Sequence, residues 1–348
     1  MKRRYLNLAL IAILAFSSIV LLAGFSDQAF AEKTYKFRLQ HWQPTASATY
    51  QLFMSDKGFP AMVHRASGGR ITIETYPVGG VVPVMDQVRS VGRGIVEMGA
   101  GCPAYQAQLG SYWSLLYGIP FTLASMEDVD VVWRQRGLFE YASELYAKHN
   151  VHLIGYHHES PISLFSKKPI TKVEDFKGLK VRAVGTYGDF YTQLGAAALS
   201  TPGSEIYVAL DRGLADACTW GSESAMVEIG LAEVTKYMVV PWISGGTIGD
   251  MYMNKDAWDS LPEDLQQIMI SCMQDWGVLI GTFYRSESLK AREMAQEKYG
   301  MQLSLLPPSE LKKLEIEAQK LLDKYEKQSP EAERIVQIYK EYMSLKDN

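Results

Sequence analysis

Asp175-Phe176-Lys177-Gly178-Leu179-Lys180-Val181-Arg182 is the stretch around which the rest of this 348-residue chain can be organised. Lys180 to Ala183 reads as a short strand that carries Arg182 near its end. A glycine-containing turn and Tyr187 follow, and Tyr187 to Leu194 reads as a helix closed by Gly195. Gly213-Leu214-Ala215-Asp216-Ala217-Cys218-Thr219-Trp220 then supplies a second strand, Ala215 to Cys218, with a tryptophan at its exit. A guanidinium at one strand end thus faces an aromatic ring at another. Arginine matches a carboxylate with two parallel hydrogen bonds, so the pair reads as a receptor for a small carboxylate. Taken alone, Arg182 reads as a surface arginine at a strand end.

Outward from that stretch the chain alternates strands and helices. Tyr35 to Leu39 predicts a strand, Tyr50 to Ala66 a helix, and Arg70 to Tyr76 a strand. Met85 to Arg93 predicts a short helix, Gly94 to Gly99 a buried strand, and Glu127 to Lys148 a helix leading to the strand Val151 to Tyr156. Leu164 to Ser166 reads as a strand and Ile206 to Arg212 as a short helix. A long helix starts at Leu261-Pro262-Glu263-Asp264 and runs toward Tyr299, and Pro307-Pro308-Ser309 opens a final charged one. The order argues for an α/β protein with parallel sheets covered by helices on both faces. No low-complexity linker appears, so the domain boundary is expected at crossing strands, with the long helix as a spine.

The first residues read as an export signal. Lys2-Arg3-Arg4 precede the apolar run Leu6 to Gly24, and Ala29-Phe30-Ala31 forms a small-x-small cleavage site before Glu32. Phe25 stands where a lipoprotein would carry its cysteine. The expectation is a soluble periplasmic protein after cleavage near Ala31. Without residues 1–31 the chain keeps 32 Lys+Arg against 38 Asp+Glu. This mild acidity disfavours nucleic acid, whose phosphates need clustered basic residues. About 317 remaining residues predict two domains. Cys102, Cys218 and Cys272 are odd in number and lie in apolar or small-residue surroundings, which reads as buried thiols, with a Cys102–Cys218 bridge left open.

Several blocks, in order, resemble the substrate-binding proteins of TRAP transporters, the DctP-like family. The stretch 175–182 is similar to its "DLKGLKxR", and Ser67-Gly68-Gly69-Arg70-Ile71 with Glu74 and Tyr76-Pro77 to its "GGRIxxExYPxG". Val88 to Met98, Gly118-Ile119-Pro120-Phe121, Gly213 to Asp216, and Met253-Asn254-Lys255 with Trp258, Leu261-Pro262 and Leu265-Gln266 complete the set. The resemblance implies a two-lobe periplasmic-binding-protein fold with parallel or mixed sheets, hinge strands and a long bridging helix. It implies lobe I from residues 32–156 plus 247–285, and lobe II from 157–246 plus 286–348 including the C-terminal helix. It also implies a receptor that closes on an organic acid and delivers it to a sodium-driven pair of TRAP membrane subunits, as a monomer or dimer, without enzymatic chemistry or cofactor.

Arg182 then corresponds to the family's carboxylate-binding arginine. Four residues after Asp216, where many members carry a ligand-touching asparagine, stands Trp220, similar to the 2-oxo-acid-binding branch; a buried core tryptophan is the other reading. That branch often holds a cation beside the ligand, but Thr219 and Ser244 stand where acids are usual, so no metal is expected, with Glu223 near enough to substitute. Trp42, Tyr105, Tyr187 and Trp242 sit at or after predicted strand ends, where ligands of open α/β sheets gather. Each alone reads equally as packing. Together they favour a carboxylate with an aromatic or bulky apolar body, such as a 2-oxo acid. His149, His152, His157, His158 and Glu159 are close enough in sequence to suggest zinc, but a strand scatters them over opposite faces, so they read as surface or hinge histidines, with His157 or His158 able to hydrogen-bond a ligand at the strand end. The chain has no H-E-x-x-H, G-x-S-x-G, P-loop or G-x-G-x-x-G. The alternative function is a periplasmic enzyme acting on an organic acid.

Overall fold

The computed structural model describes residues 33–346, so the expected export signal lies outside the described residues. Eleven strands form two mixed sheets. They are β1 (Tyr35–His41), β2 (Ile71–Tyr76), β3 (Met98–Gly101), β4 (Val151–His158), β5 (Ile162–Ser166), β6 (Lys180–Arg182), β7 (Ala197–Leu199), β8 (Ala217–Thr219), β9 (Tyr237–Ser244), β10 (Ile248–Asn254) and β11 (Gln302–Leu305). The first sheet runs β2-β1-β3-β10-β4 and the second β11-β9-β5-β8-β6-β7. This is a two-lobe α/β fold.

Of the parallel or mixed sheets expected, both are mixed. β1 pairs parallel with β3, yet β10 lies antiparallel to both β3 and β4. In the second sheet β6 is parallel to β7 and β8, whereas β5 is antiparallel to β8 and β9. The cause is topological. β4 passes through Glu159-Ser160-Pro161 into β5 of the other sheet, and β9 returns through Gly245-Gly246-Thr247 into β10. A strand re-entering from the neighbouring sheet arrives without a crossover helix, so it inserts in the opposite sense.

The helix Glu263–Tyr299 is a third link, about 55 Å long at 1.5 Å per residue. Trp276 packs against Phe53, and the Tyr284 hydroxyl donates to Glu159 Oε2 over 3.0 Å. Further along, Arg292 pairs with Glu223, and the chain then enters β11 of the second sheet. Two helices finish the chain. Pro308–Glu326 covers the second sheet through Glu310 on the Val173 amide, Gln193 on Glu317 and Tyr325 on Asp189. Pro330–Lys346 turns back, and its Tyr339 hydroxyl donates to the Leu115 carbonyl while Tyr342 bonds Asp128.

Two expected helices are broken and one strand is displaced. Tyr50 to Ala66 is two helices, Ala48–Met54 and Phe59–Ala66, separated where Ser55 folds its hydroxyl onto the Leu52 carbonyl. Glu127 to Lys148 is Met126–Asp130, a wide turn at Val131–Gln135, and Leu138–Ala147. The strand expected at Gly94 to Gly99 lies at Met98–Gly101. Among the described residues, no helix is long and apolar enough to cross a membrane.

The β9–β10 crossing is held by backbone pairing to the loop after Gly118. Phe121 N donates to the Ile243 carbonyl and Gly245 N to the Leu123 carbonyl, both over 3.0 Å. A Cβ on Gly245 would fall 1.6 Å from the Ala124 carbonyl oxygen. Backbone cannot swing aside as a side-chain tip can. Gly245→Ala should therefore cost about 1–3 kcal/mol, the range for overpacking. A urea titration should give a lower midpoint at an unchanged slope; an unchanged midpoint would contradict the packing described.

Candidate functional site

Arg182 ends the three-residue strand β6, so its side chain leaves the sheet at a carboxyl end. It is fully buried, at 0% exposure. Its guanidinium donates to two backbone oxygens, with the Tyr105 hydroxyl beside it: Nε donates to the Thr201 carbonyl over 3.0 Å, one terminal nitrogen also reaches Thr201, and the other donates to the Thr219 carbonyl over 2.7 Å. Three bonds to two loops fix the plane of the group, and arginine has five N–H donors. No carboxylate among the described residues forms an ion pair with it. A buried charge without a partner is costly, several kcal/mol, unless something else neutralises it.

Around the guanidinium closes a cavity of about 20 Å³, a volume of the order of one water molecule. Trp42, Cys102, Tyr105 and Tyr117 contribute one wall from around the first sheet. Ile162, Val184, Tyr187, Thr219 and Trp220 form the other from around the second. The walls touch: Trp42 meets Trp220 edge-on at 6.3 Å, and Tyr117 meets Tyr187 at 5.9 Å. Thr186 Oγ1 donates to the Gly118 carbonyl over 2.6 Å. Admitting anything larger than a water molecule therefore requires the two walls to separate.

The lining is rich in donors. Nε1 of Trp42, Nε1 of Trp220 and the Tyr187 hydroxyl are buried without a hydrogen-bond partner. An indole N–H can only donate. Burial raises the pKa of the Tyr105 hydroxyl, with the Arg182 charge opposing, and burial likewise keeps Tyr117 and Tyr187 protonated. The Cys102 thiol is pushed well above its ordinary value by burial and by Asp250 and Glu159 nearby. Cys218, behind Arg182, is pushed up to about 12 by burial. All three cysteines are free and buried, so Cys102 and Cys218 are not bridged.

Trp220 lies flat against the loop that holds Arg182. A Cβ on Gly203 would come within 2.5 Å of its Nε1, so only glycine leaves room for the ring there. Ser163 N donates to the Gly221 carbonyl over 3.0 Å, which ties the tryptophan loop to β5.

Five of the eight residues singled out in the sequence converge here: Arg182, Trp220, Tyr187, Tyr105 and Trp42. Three stand elsewhere. Glu223, 1% exposed, accepts from Trp242 Nε1 over 2.8 Å and pairs with Arg292. Trp242 is flanked by the guanidinium groups of Arg285 and Arg292, at 5.1 and 5.7 Å from its ring. These two residues thus clamp the second sheet to the long helix. His158 faces Asp130, Nε2 to Oδ1 3.2 Å. Sequence reasoning overlooked Cys102, Tyr117, Ile162 and Val184 as liners and weighed Thr219 only as a place where an acid is missing. Tyr117 alone had a signal, its place directly before Gly118-Ile119-Pro120-Phe121.

A larger cavity of about 350 Å³ opens outside the first sheet between Phe139, Ile154, Ile270 and Met273. Its cationic groups are already engaged: Arg134 bonds Asp130 and Tyr156, and His152 stacks on Trp258 at 4.0 Å, which leaves Glu140 as the lining's carboxylate. Chemistry rather than size selects the cavity at Arg182. Among the described residues no group of three or more His, Cys, Asp or Glu side chains is placed to hold a metal ion.

Residues 44–328 match the bacterial extracellular solute-binding protein, family 7 (DctP). A monocarboxylate 2-oxoacid-binding periplasmic protein of Nostoc sp. is 30% identical over 233 residues, which is 65% of this chain and 63% of that relative, so less than two thirds of its length is spanned. A TRAP periplasmic solute binding protein of Chromohalobacter salexigens, solved with bound (S)-(+)-2-amino-1-propanol, is 27% identical with a TM-score of 0.80, covering 89% of this chain and 96% of that one. Another from Pseudoalteromonas atlantica, solved with sodium and pyruvate, shares the fold at a TM-score of 0.82 and 23% identity, covering 90% and 95%. The chain belongs to family 7 of the bacterial extracellular solute-binding proteins.

Proposed function

We propose that this protein is a periplasmic receptor, exported by cleavage near Ala31, that closes on a small organic carboxylate and hands it to TRAP membrane subunits. The observation that carries the reading is the buried Arg182 guanidinium, fixed by the Thr201 and Thr219 carbonyls and lacking a carboxylate partner. A ligand carboxylate supplies the missing charge and accepts the N–H groups that the carbonyls leave over. Names borne by relatives point the same way: the Nostoc protein is called 2-oxoacid-binding, and the Pseudoalteromonas protein was solved with pyruvate.

The wall chemistry narrows the ligand. Trp42 and Trp220 offer N–H groups that cannot accept, and no carboxylate among the described residues lines the cavity. An acceptor next to the carboxylate, such as a 2-oxo group, is satisfied there, whereas an ammonium finds no counter-charge. Five aromatic rings favour a bulky apolar body over a hydroxyl-rich sugar acid. An enzymatic role is disfavoured because the lining holds no carboxylate or histidine to act as a general base, and its cysteine, Cys102, is held as the thiol. In this reading the lobes are residues 32–156 plus 247–285 and 157–246 plus 286–348, hinged near Tyr156 to Pro161 and Val240 to Gly246.

Removing the anchor tests the site. Arg182→Ala should weaken carboxylate binding by about 2–5 kcal/mol, on the order of thirty-fold or more, and Arg182→Lys should not restore it because the planar fork is lost. Calorimetry on folded variants decides this, and parent-like affinity in Arg182→Ala would remove the assignment.

Ligand class is read from a second titration, with pyruvate, phenylpyruvate, a sialic-type acid and 2-amino-1-propanol, each with and without EDTA. The 2-oxo acids should bind in both conditions, and small-angle scattering on the saturated samples should give a smaller radius of gyration. Tight binding of the sugar acid or the amino alcohol alone would defeat the wall argument. Loss of all binding on chelation would defeat the metal-free one.

A further inference from the structure

Immediately behind the first-sheet wall of the cleft lies a group of ionisable side chains that carboxylate capture at Arg182 leaves unused. Asp250 stands in β10 opposite Gly101 of β3 and Tyr156 of β4. Gly101 leads directly into Cys102, which lines the cavity. Asp250 is 1% exposed; its Oδ2 accepts from the Tyr146 hydroxyl, and its Oδ1 has no donor. A Cβ on Gly101 would lie 2.6 Å from that Oδ1, so the carboxylate is pressed against the strand that enters the cavity.

The groups facing Asp250 come from every neighbouring element. Tyr146 projects from the helix Leu138–Ala147, Tyr252 from the same strand, Cys102 from the end of β3, His157 from β4, and Glu159 from just beyond it. None is a lysine or arginine. Glu159 is itself engaged, by His157 Nε2 over 2.9 Å and by Tyr284 over 3.0 Å. Its charge is nevertheless felt at the liners Cys102 and Tyr117, as that of Asp250 is at Cys102. The wall opposite Arg182 therefore carries buried negative charge that a ligand carboxylate must approach.

We propose that the ligand carboxylate and one proton bind together, with the proton taken from solvent by Asp250. Resting on the reading of Arg182 as the anion anchor, the coupling follows from like charges in a poorly screened interior. Each anion raises the other's cost, and of the two carboxylates only Asp250 has an oxygen, Oδ1, without a hydrogen bond; His157 Nδ1 is the other unpartnered proton site in the group, and the Asp250→Asn comparison separates the two. Burial has already pushed this carboxyl up to about 6, so uptake near neutral pH needs little further change. The sign is fixed by linkage: if the complex holds more protons than the free protein, affinity rises as pH falls. For pyruvate, ionised throughout, the gain from pH 8 toward pH 6 is at most about tenfold per unit and flattens below that.

The test is calorimetric titration of the whole protein with pyruvate at pH 7 in phosphate and in Tris, whose ionisation heats differ. The expected result is a buffer-dependent heat that corresponds to fractional proton uptake, absent in a folded Asp250→Asn that still binds. Should Asp250→Asn fail to fold, the carboxyl resonances of aspartate-labelled parent protein serve instead: one raised carboxyl should titrate higher with pyruvate present. Binding with equal heats in both buffers overturns the coupling alone. Buffer dependence that persists in Asp250→Asn overturns the assignment to Asp250. A folded parent that binds neither pyruvate nor phenylpyruvate overturns the carboxylate reading, and the coupling falls with it.

Discussion

The structure depends on one buried cation. Arg182 sits between two sheets with its guanidinium bonded to the carbonyls of Thr201 and Thr219 and with no carboxylate to offset its charge. Protein folds normally pair such a group or leave it in water, because neutral carbonyl dipoles alone do not repay the lost hydration. Here the carbonyls serve orientation: they belong to two loops, after β7 and at the end of β8, so moving either loop tilts the fork. The position of Trp220 is coupled to the same loops through Gly203. An anion would complete the site, and under the proposed function it comes from outside the protein.

Topology explains how that cation becomes reachable. The sheets are joined by two short strand crossings and by the helix Glu263–Tyr299, and the C-terminal helix adds bonds from Tyr339 to Leu115 and from Tyr342 to Asp128; the cavity walls themselves meet mainly through aromatic edges and one side-chain hydrogen bond. Contacts of that kind can separate without unfolding either lobe. The crossings are more strongly committed. Glu223, Trp242, Arg285 and Arg292 bind the second sheet to the long helix, and Glu159 with Tyr284 does the same beside the first.

Much of this was legible in the sequence, and the exceptions have physical causes. The long helix follows from periodicity and caps, while the three-residue strands carrying Arg182 and ending near Trp220 follow from the family-like blocks 175–182 and 213–216 beside them. β10 did not, because all seven of its residues are buried on both faces and the pattern Ile-Gly-Asp-Met-Tyr-Met-Asn shows no alternation. The three-residue β7 is too short for any period. At the site, Arg182 and four aromatic residues could be placed at strand ends. Glu223 and Trp242 also stand near such ends, but Arg285 and Arg292, far along the chain on the long helix, draw them aside. Tyr117 and Cys102 enter the lining from loops, where spacing carries no direction.

The most direct measurement is a crystal structure of the protein grown with a saturating 2-oxo acid. The carboxylate is expected between the two walls, both oxygens within hydrogen-bond distance of the Arg182 guanidinium, which keeps its bonds to Thr201 and Thr219. A ligand seated in the cavity beside Phe139 and Met273, or one bound in the cleft with its carboxylate turned away from Arg182, would contradict it.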